Sequence, residues 1–403
     1  MAATAPVKMQ AKSGPLTERI QRIEISATLA VVNEADRLRA AGVDLVDFGA
    51  GEPHFSTPEH IKQACVRALE ANYTRYTPVA GSAELRDAII RRHAQDFGSE
   101  YRREECIASV GGKHALFNAI QVLVDHGDEV ILPVPYWVSF KDIIQYAGGR
   151  PVFIECDEQR GFALSAAMIE RAITPRTKAI ILNSPSNPSG AVMREEEVRA
   201  IVEMAHARGI YVLADECYVY LNFTGRKFSC GSVREAKEHL VILGSLSKTY
   251  AMTGWRLGYG LAPAPIVGAM QKLQSQSTSN PTSIVQKAAV AALTGSQECV
   301  EEMLADYIRL RDRVVAGLNA IPGVRCAKPE GAFYAYPNIS AFLGRSGVNS
   351  PTELAGRLMR EAGVVTVPGE AFGTREHIRV SYATSAAELD KGLERMKKFL
   401  TSL

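Results

Sequence analysis

GSLSKTYAMTGWRLGYG, residues 244–260, follows directly on the apolar run 240–243. That run reads as a buried strand. At its end Gly244, Ser245, Ser247 and Lys248 come in quick succession, and then an apolar turn that holds Gly254, Trp255 and Arg256. A lysine at a strand end, walled by Ala251, Met252 and Trp255, is partly desolvated. Desolvation disfavours the ammonium and lowers its pKa, which frees an amine to act as a nucleophile or imine partner. Ser245, Ser247 and Arg256 are the kinds of group that gather round a phosphate. Two other readings stand beside this one. As a nucleotide-hydrolysing P-loop the stretch fails on spacing, because Ser247 takes the place of the glycine that should precede Lys248 and Gly244 lies too near. As a plain strand end it would leave Lys248 in solvent, where most lysines are. On this stretch alone the plain reading leads, and the rest of the chain decides.

The chain has 403 residues, a balanced composition and a formal charge of +2. That is long enough for one large domain and a smaller one. Near-neutral charge gives no reason to expect nucleic acid or a membrane surface as partner. The basic pairs Arg91 with Arg92, Arg102 with Arg103 and Lys397 with Lys398 fit solvated helix faces. The cysteines number seven and form no CxxC pair, which points to reduced thiols in a cytoplasmic protein rather than a disulfide framework. The start, MAATAPVKMQAKSGPL, lacks the apolar core of a secretory signal and reads as a flexible tail. No apolar run approaches a membrane span. The eight histidines show no ligand spacing, so no metal site is expected.

Apolar runs near 106–110, 129–132, 178–182, 210–214 and 240–243 alternate with helical patterns. This predicts a mostly parallel α/β sheet with ligand groups at the strand ends. After a strand over 43–48, the loop GAGEPHFSTP is no dinucleotide fingerprint: His54 occupies the third glycine place and Pro53 breaks the helix that should follow. Gly51 there allows close backbone approach to a ligand. Thr57, Pro58 and Glu59 predict a helix to about residue 71 with Thr57 as N-cap, and Ser82 caps the next helix with Leu85 at its third position. Gly111 and Gly112, between a strand and the helix of GGKHALFNAIQVLV, gather free N–H groups and a helix dipole. An anion site and a simple tight turn explain that equally well. Asn187, held between prolines in NSPSNPSG, can donate to a phenolate oxygen. Asp215 ends the apolar run 210–214, where a carboxylate needs a partner. A protonated pyridine nitrogen is a suitable one. Tyr76 by itself is a surface aromatic, Trp137 by itself is core packing, and Arg379 in IRVSYA is either a surface ion pair or a carboxylate clamp.

Taken together, S-x-S-K with Arg256 eight residues on in MTGWRLGY, the YTPVAGSAELR segment, GGKHALFN, PYW, NPSG and the Asp215 to Tyr218 segment resemble the class I aminotransferases. These are pyridoxal 5′-phosphate (PLP) enzymes of the aspartate aminotransferase fold. The resemblance runs from about Ser26 to the C-terminus. It implies a fold-type I PLP-dependent transferase with a large domain built on a mostly parallel mixed sheet and a smaller α/β domain. The chain then divides into a tail at 1–14, a segment at 15–55 that joins the small domain, a PLP-binding domain at 56–295 and the small domain at 296–403.

The same resemblance implies roles. Lys248 holds PLP and serves as base and acid in the proton shift, Asp215 keeps the pyridine nitrogen protonated, and Tyr218 and Asn187 bond the 3′-oxygen. Trp137 lies flat on the ring, while Gly112, Lys113, Ser245, Ser247 and Arg256 seat the phosphate. Tyr76, and Ser279 in SNP, reach the neighbour's phosphate in a homodimer with shared active sites. The Gly51 loop lies over the substrate, and Arg379 clamps its α-carboxylate. One branch of the family reads a distal carboxylate with an arginine four residues before the interface serine, where this chain has Ser275. The other branch uses the lysine of GGKxALFN with hydroxyls of an SAT segment, and this chain has Lys113 with Ser26 and Thr28. The expected reaction is therefore aspartate with 2-oxoglutarate, giving oxaloacetate and glutamate. Glu24 stands where relatives that accept prephenate have a lysine, which argues against that substrate. A broader or aromatic aminotransferase and a PLP lyase of the same fold are the alternatives. A non-enzymatic ligand-binding domain is disfavoured by Lys248 and by the lack of a DNA-binding module ahead of residue 26.

Overall fold

The computed structural model describes residues 16–25 and 27–403, so the expectation for Ser26 lies outside the described residues. The apolar runs assemble into a seven-stranded sheet in the order β2-β8-β7-β6-β5-β3-β4. Its strands are β2 (Cys106–Ser109), β3 (Glu129–Val134), β4 (Arg150–Glu155), β5 (Thr177–Asn183), β6 (Tyr211–Asp215), β7 (Leu240–Ser245) and β8 (Gly258–Leu261). The pairs among β3 to β7 are parallel, and β8 runs antiparallel between β7 and β2. The middles of the central strands are apolar because helices cover both faces, and polar residues stand at their ends. In β5, Ile180 and Leu182 pack into one core while Ala179 and Ile181 pack into the other, as a side-chain period of two requires.

Two strands were not foreseen. β4 is an edge strand whose Phe153 is 46 % exposed, so it has no continuous apolar run to announce it. β8 reads GYGL, and glycine is depleted in strands. Its glycine is needed for space, since a Cβ at Gly258 would overlap the backbone nitrogen of Gly112. A glycine inside a strand marks such a close approach.

A second core gathers the helices Glu298–Asn319, Pro351–Ala362 and Ala386–Thr401 around two small sheets. One sheet has the order β11-β12-β9, from β9 (Tyr334–Ala335), β11 (Val367–Pro368) and β12 (Ile378–Ser381). The other pairs β1 (Val46–Asp47) in parallel with β10 (Val364–Val365), which ties the start of the chain to its end. The strand expected over 43–48 is thus only Val46–Asp47.

The helix after Pro58 is Glu59–Glu70, and Thr57 does not cap it. The Thr57 hydroxyl instead donates to the Ala251 carbonyl at 2.5 Å and accepts from the Trp255 indole N–H at 2.9 Å. The half-buried indole N–H of Trp255 needs an acceptor, and the Thr57 hydroxyl supplies it, so the hydroxyl serves the turn after Lys248. Ser82 does cap its helix, accepting from the Leu85 N–H at 3.2 Å. Among the described residues no helix is long and apolar enough to cross a membrane.

Candidate active site

The ends of β5, β6 and β7 and the start of the helix Gly112–Leu123 open into one cavity of about 400 Å³. Ser245 ends β7 and starts a one-turn helix, Leu246–Thr249, by accepting from the Ser247 N–H at 3.2 Å. That turn carries Lys248 into the cavity, where its Nζ donates to the carbonyl of Gly51. No carboxylate pairs with it among the described residues. Burial pushes the ammonium pKa down, and the guanidiniums of Arg379 and Arg256 add to this. The turn that follows holds Ala251 and Arg256 at φ of 50° and 55°, both in the left-handed region that non-glycine residues avoid.

Arg256 then lies against the start of the helix at 112, where a Cβ on Gly111 would come within 2.7 Å of its Nη2. Gly112 lies across from Ser245, with room for a Cβ only at 3.2 Å from the serine's own. Free helix N–H groups, two hydroxyls and one guanidinium thus converge on the end of the cavity. Lys113 adds a second cation there. It is exposed, its Nζ rests 4.9 Å from the centre of the Trp137 ring, and it has no carboxylate partner among the described residues.

Asp215 ends β6 on the cavity floor. Its carboxylate accepts one bond, from the Cys217 N–H at 3.0 Å, and has no cation beside it among the described residues. Burial pushes its carboxyl up to about 6, with neighbouring Glu216 contributing. Asn183, opposite it on β5, donates from Nδ2 to the Asp215 carbonyl at 3.1 Å and accepts from the Asn187 N–H at 2.9 Å. Asn187 accepts on Oδ1 from Arg379 Nη1 at 3.1 Å, which leaves its Nδ2 to donate into the cavity. The Tyr218 and Tyr334 hydroxyls are bonded to each other at 2.7 Å, and burial raises the Tyr218 pKa well above that of a free phenol.

Arg379, on β12, is 2 % exposed. Its Nη2 donates to the Gly49 carbonyl at 2.8 Å, its Nε has no partner, and no carboxylate lies within ion-pair reach among the described residues. The guanidinium is seated on aromatic rings, 4.4 Å from Tyr334 and 5.2 Å from Phe372. The surface ion pair considered for it is therefore absent.

Lys248, Asp215, Tyr218, Asn187, Trp137, Arg379, Gly51, Gly112, Lys113, Ser245, Ser247 and Arg256 all line this cavity, and Thr28 is half-buried at its mouth beside Leu29 and Val32. Tyr76 and Ser279 do not. Tyr76 is 92 % exposed, and Ser279 lies in a turn at φ 60° whose N–H donates to the Gln274 carbonyl at 2.9 Å. Ser275 is exposed, its hydroxyl on the Lys272 carbonyl at 2.7 Å. The sequence reading missed Asn183, Cys217, Thr253 and Tyr334, which also line the cavity. Asn183 could have been found as Asp215 was, as a polar residue closing an apolar strand; nothing local marks Tyr334. The cavity can thus hold an anion at one end, a cationic ring nitrogen on its floor and a carboxylate at the other end.

The family model for aminotransferase class I and II matches residues 43–396. The aspartate aminotransferase of Geobacillus stearothermophilus is 44 % identical over 96 % of this chain and 98 % of its own length. The probable aspartate/prephenate aminotransferase of Aquifex aeolicus is 42 % identical over 96 % of this chain and 99 % of its own. Among solved structures, the aspartate aminotransferase from Thermus thermophilus with maleate superposes with a TM-score of 0.91 at 43 % identity, covering 96 % of this chain and 100 % of that one. With matches of this extent in sequence and in fold, the chain belongs to the aspartate aminotransferase family of class I aminotransferases, enzymes of the fold-type I architecture.

Proposed function

We propose that the chain is a PLP-dependent aspartate transaminase that exchanges the amino group between aspartate and 2-oxoglutarate, acting as a cytoplasmic homodimer. One observation carries this reading. Lys248, Asp215 and Arg379 line a single cavity, and each is a desolvated charged group without a counter-charge among the described residues. Such groups are costly unless a ligand completes them. PLP and an amino-acid substrate complete all three, and the donors of the anion-binding end suit a phosphate.

PLP when bound supplies an electron-withdrawing ring conjugated to the substrate nitrogen. Lys248 anchors it, and the lowered pKa of its Nζ suits that amine to take the substrate Cα proton and return it. The Asp215 carboxylate would hold a proton on the ring nitrogen, and that cation would relieve the carboxylate's own burial. Asn187 Nδ2 and the Tyr218 hydroxyl would donate to the ring oxygen, and Trp137 would cover the ring. The backbone N–H groups of Gly112 and Lys113, the Ser245 and Ser247 hydroxyls and the Arg256 guanidinium would hold the phosphate, which leaves the Lys113 side chain free for substrate. The partner subunit's Tyr76 and the partner subunit's Ser279 would complete that end; in its own chain Tyr76 is 92 % exposed, open to such a contact.

Arg379 clamps the α-carboxylate under the Gly51 loop. Lys113, with Thr28 and Ser26, reads the distal carboxylate. The Thermus thermophilus relative was solved with maleate, itself a dicarboxylate, which supports this choice. Glu24, 3.6 Å from Lys141, stands where relatives that accept prephenate have a lysine, and the loss of that cation disfavours prephenate.

The test is a half-reaction. The purified protein should be yellow and carry PLP that borohydride fixes to Lys248, and aspartate should convert it to the pyridoxamine form that 2-oxoglutarate reverses. Lys248→Ala should abolish turnover. An active Lys248→Ala protein would overturn the reading, and elimination without amino transfer would make the chain a lyase.

A further inference from the structure

Arg379 is held on its cavity side by Asn187 and Gly49. Behind it, a row of packed rings leads from Phe372 to Tyr336 and His377. Phe372 meets Tyr336 edge-on at 5.8 Å, and the His377 ring lies parallel to Tyr336, at 4.8 Å and 4°. Phe162 closes the row, edge-on to His377 at 5.5 Å. His377 precedes β12 by one residue and Arg379 by two, so the ring and the clamp are carried on one short stretch of backbone.

Phe162 packs in one small cluster with Tyr336, Val367 and Phe372, but the segment that carries it comes from the other part of the fold. Glu158 and Phe162 lie on the loop after β4 of the seven-stranded sheet, whereas His377, Tyr336, Asn338 and Arg379 belong to the part built on β9, β11 and β12. Glu158 reaches across with one oxygen. Its Oε2 accepts from Asn338 Nδ2 at 2.6 Å and lies 3.3 Å from His377 Nε2, with Arg325 Nη2 at 3.9 Å. Glu376 Oε2 also accepts from Asn338 Nδ2, at 3.3 Å. His377 is 5 % exposed, and neither ring nitrogen makes a well-aligned hydrogen bond. Burial lowers its pKa, while Glu158 and Glu376 oppose that and Arg325 reinforces it. A buried imidazole against a carboxylate from the opposite core is thus a joint between the two bodies, located directly behind the substrate clamp.

We propose that Glu158 and His377 are positioning residues for the reaction: their contact across the two cores sets where Arg379 stands relative to the cavity floor that holds Lys248 and Asp215. The clamp is mounted on one core and the reacting lysine on the other, so substrate can be gripped in register only if the cores are registered to each other. The inference rests on the reading of Arg379 as the α-carboxylate clamp. Every substrate carries that carboxylate, so loss of the joint raises KM for aspartate and 2-oxoglutarate alike and leaves kcat much less changed.

The experiment is a double-mutant cycle on the PLP-loaded enzyme, with Glu158→Gln, His377→Gln, Arg379→Ala and the two pairs that include Arg379→Ala. Steady-state kinetics are read beside calorimetric binding of maleate, which needs no turnover, and thermal melting reports whether each variant folds. Expected are a roughly tenfold weaker maleate affinity and a similar rise in KM for Glu158→Gln and His377→Gln, and almost no further loss when either is added to Arg379→Ala, since coupled residues are non-additive. Losses that multiply with that of Arg379→Ala, or a fall in kcat with KM unchanged, overturn the joint and leave the clamp intact. If Arg379→Ala itself binds maleate and aspartate normally, it is the clamp reading that fails.

Discussion

Replacing Asp215 by asparagine should make the cofactor-free protein more stable and the loaded protein less so. The carboxyl stands at the end of β6 with a single backbone donor, the Cys217 N–H at 3.0 Å, and no cation beside it among the described residues. An asparagine keeps that acceptor and the side-chain shape while it removes the charge. Burial raises the carboxyl from an ordinary 3.8 to about 6, so the folded state holds its proton more tightly than the unfolded chain does. Stability contributed by this group therefore falls as pH rises from 3.8 through about 6, and levels off above that. Each tenfold change in proton affinity is worth 1.36 kcal/mol, so the full penalty at pH 8 is about 3 kcal/mol. Urea unfolding of cofactor-free Asp215→Asn should accordingly show a gain of up to about 3 kcal/mol over the parent at pH 8, fading to well under 1 kcal/mol by about pH 4. In the PLP-loaded proteins the order should reverse, because the parent's carboxylate then meets a pyridinium. Such a reversal is a stability–function trade-off at a single atom. No gain at pH 8 in the cofactor-free form, or a gain that does not fade with acid, would refute the claim that this carboxylate is desolvated and waiting for a cation.

Lys113→Ala, assayed with aspartate, glutamate and phenylalanine, should lose about 1.5–3 kcal/mol in kcat/KM for the two acids only; an equal loss for all three would assign Lys113 to the phosphate or the fold. Mixing Tyr76→Phe subunits with Arg379→Ala subunits should give hybrids that regain activity beyond the parents' sum, because one of the two shared sites then carries neither defect; a monomer in sedimentation and no gain would remove the shared-site proposal. Gly258→Ala should push the Gly112 backbone away and cost about 1–3 kcal/mol of stability together with a weaker grip on PLP, read by melting and by cofactor titration; unchanged values would mean that this close approach is not structural.

The family and the fold-type I architecture were legible in the chain alone, because their signals are local. Apolar runs closed by polar residues mark parallel strands and point to the ligand crevice at their ends, which is why Asp215 and Lys248 could be read without coordinates. Ser82 could be read as a cap because a cap and its partner are three residues apart. β8 was not legible: two glycines hide a strand whose composition answers to the Gly112 backbone pressed against it. Thr57 looked like a cap because its rival partner, Trp255, is 198 residues away. Tyr334 gave no local sign that it would bond Tyr218 and lie beneath Arg379. For Arg379 the sequence left a surface ion pair and a buried clamp both open, and for Gly111 and Gly112 a simple turn and an anion site. Those choices depend on which groups from distant segments share the cavity and which charges find no partner there. Residue type and spacing cannot state that, since it is a property of the packed chain: burial sets the cost of a lone charge, and only the tertiary structure decides which charges are buried alone.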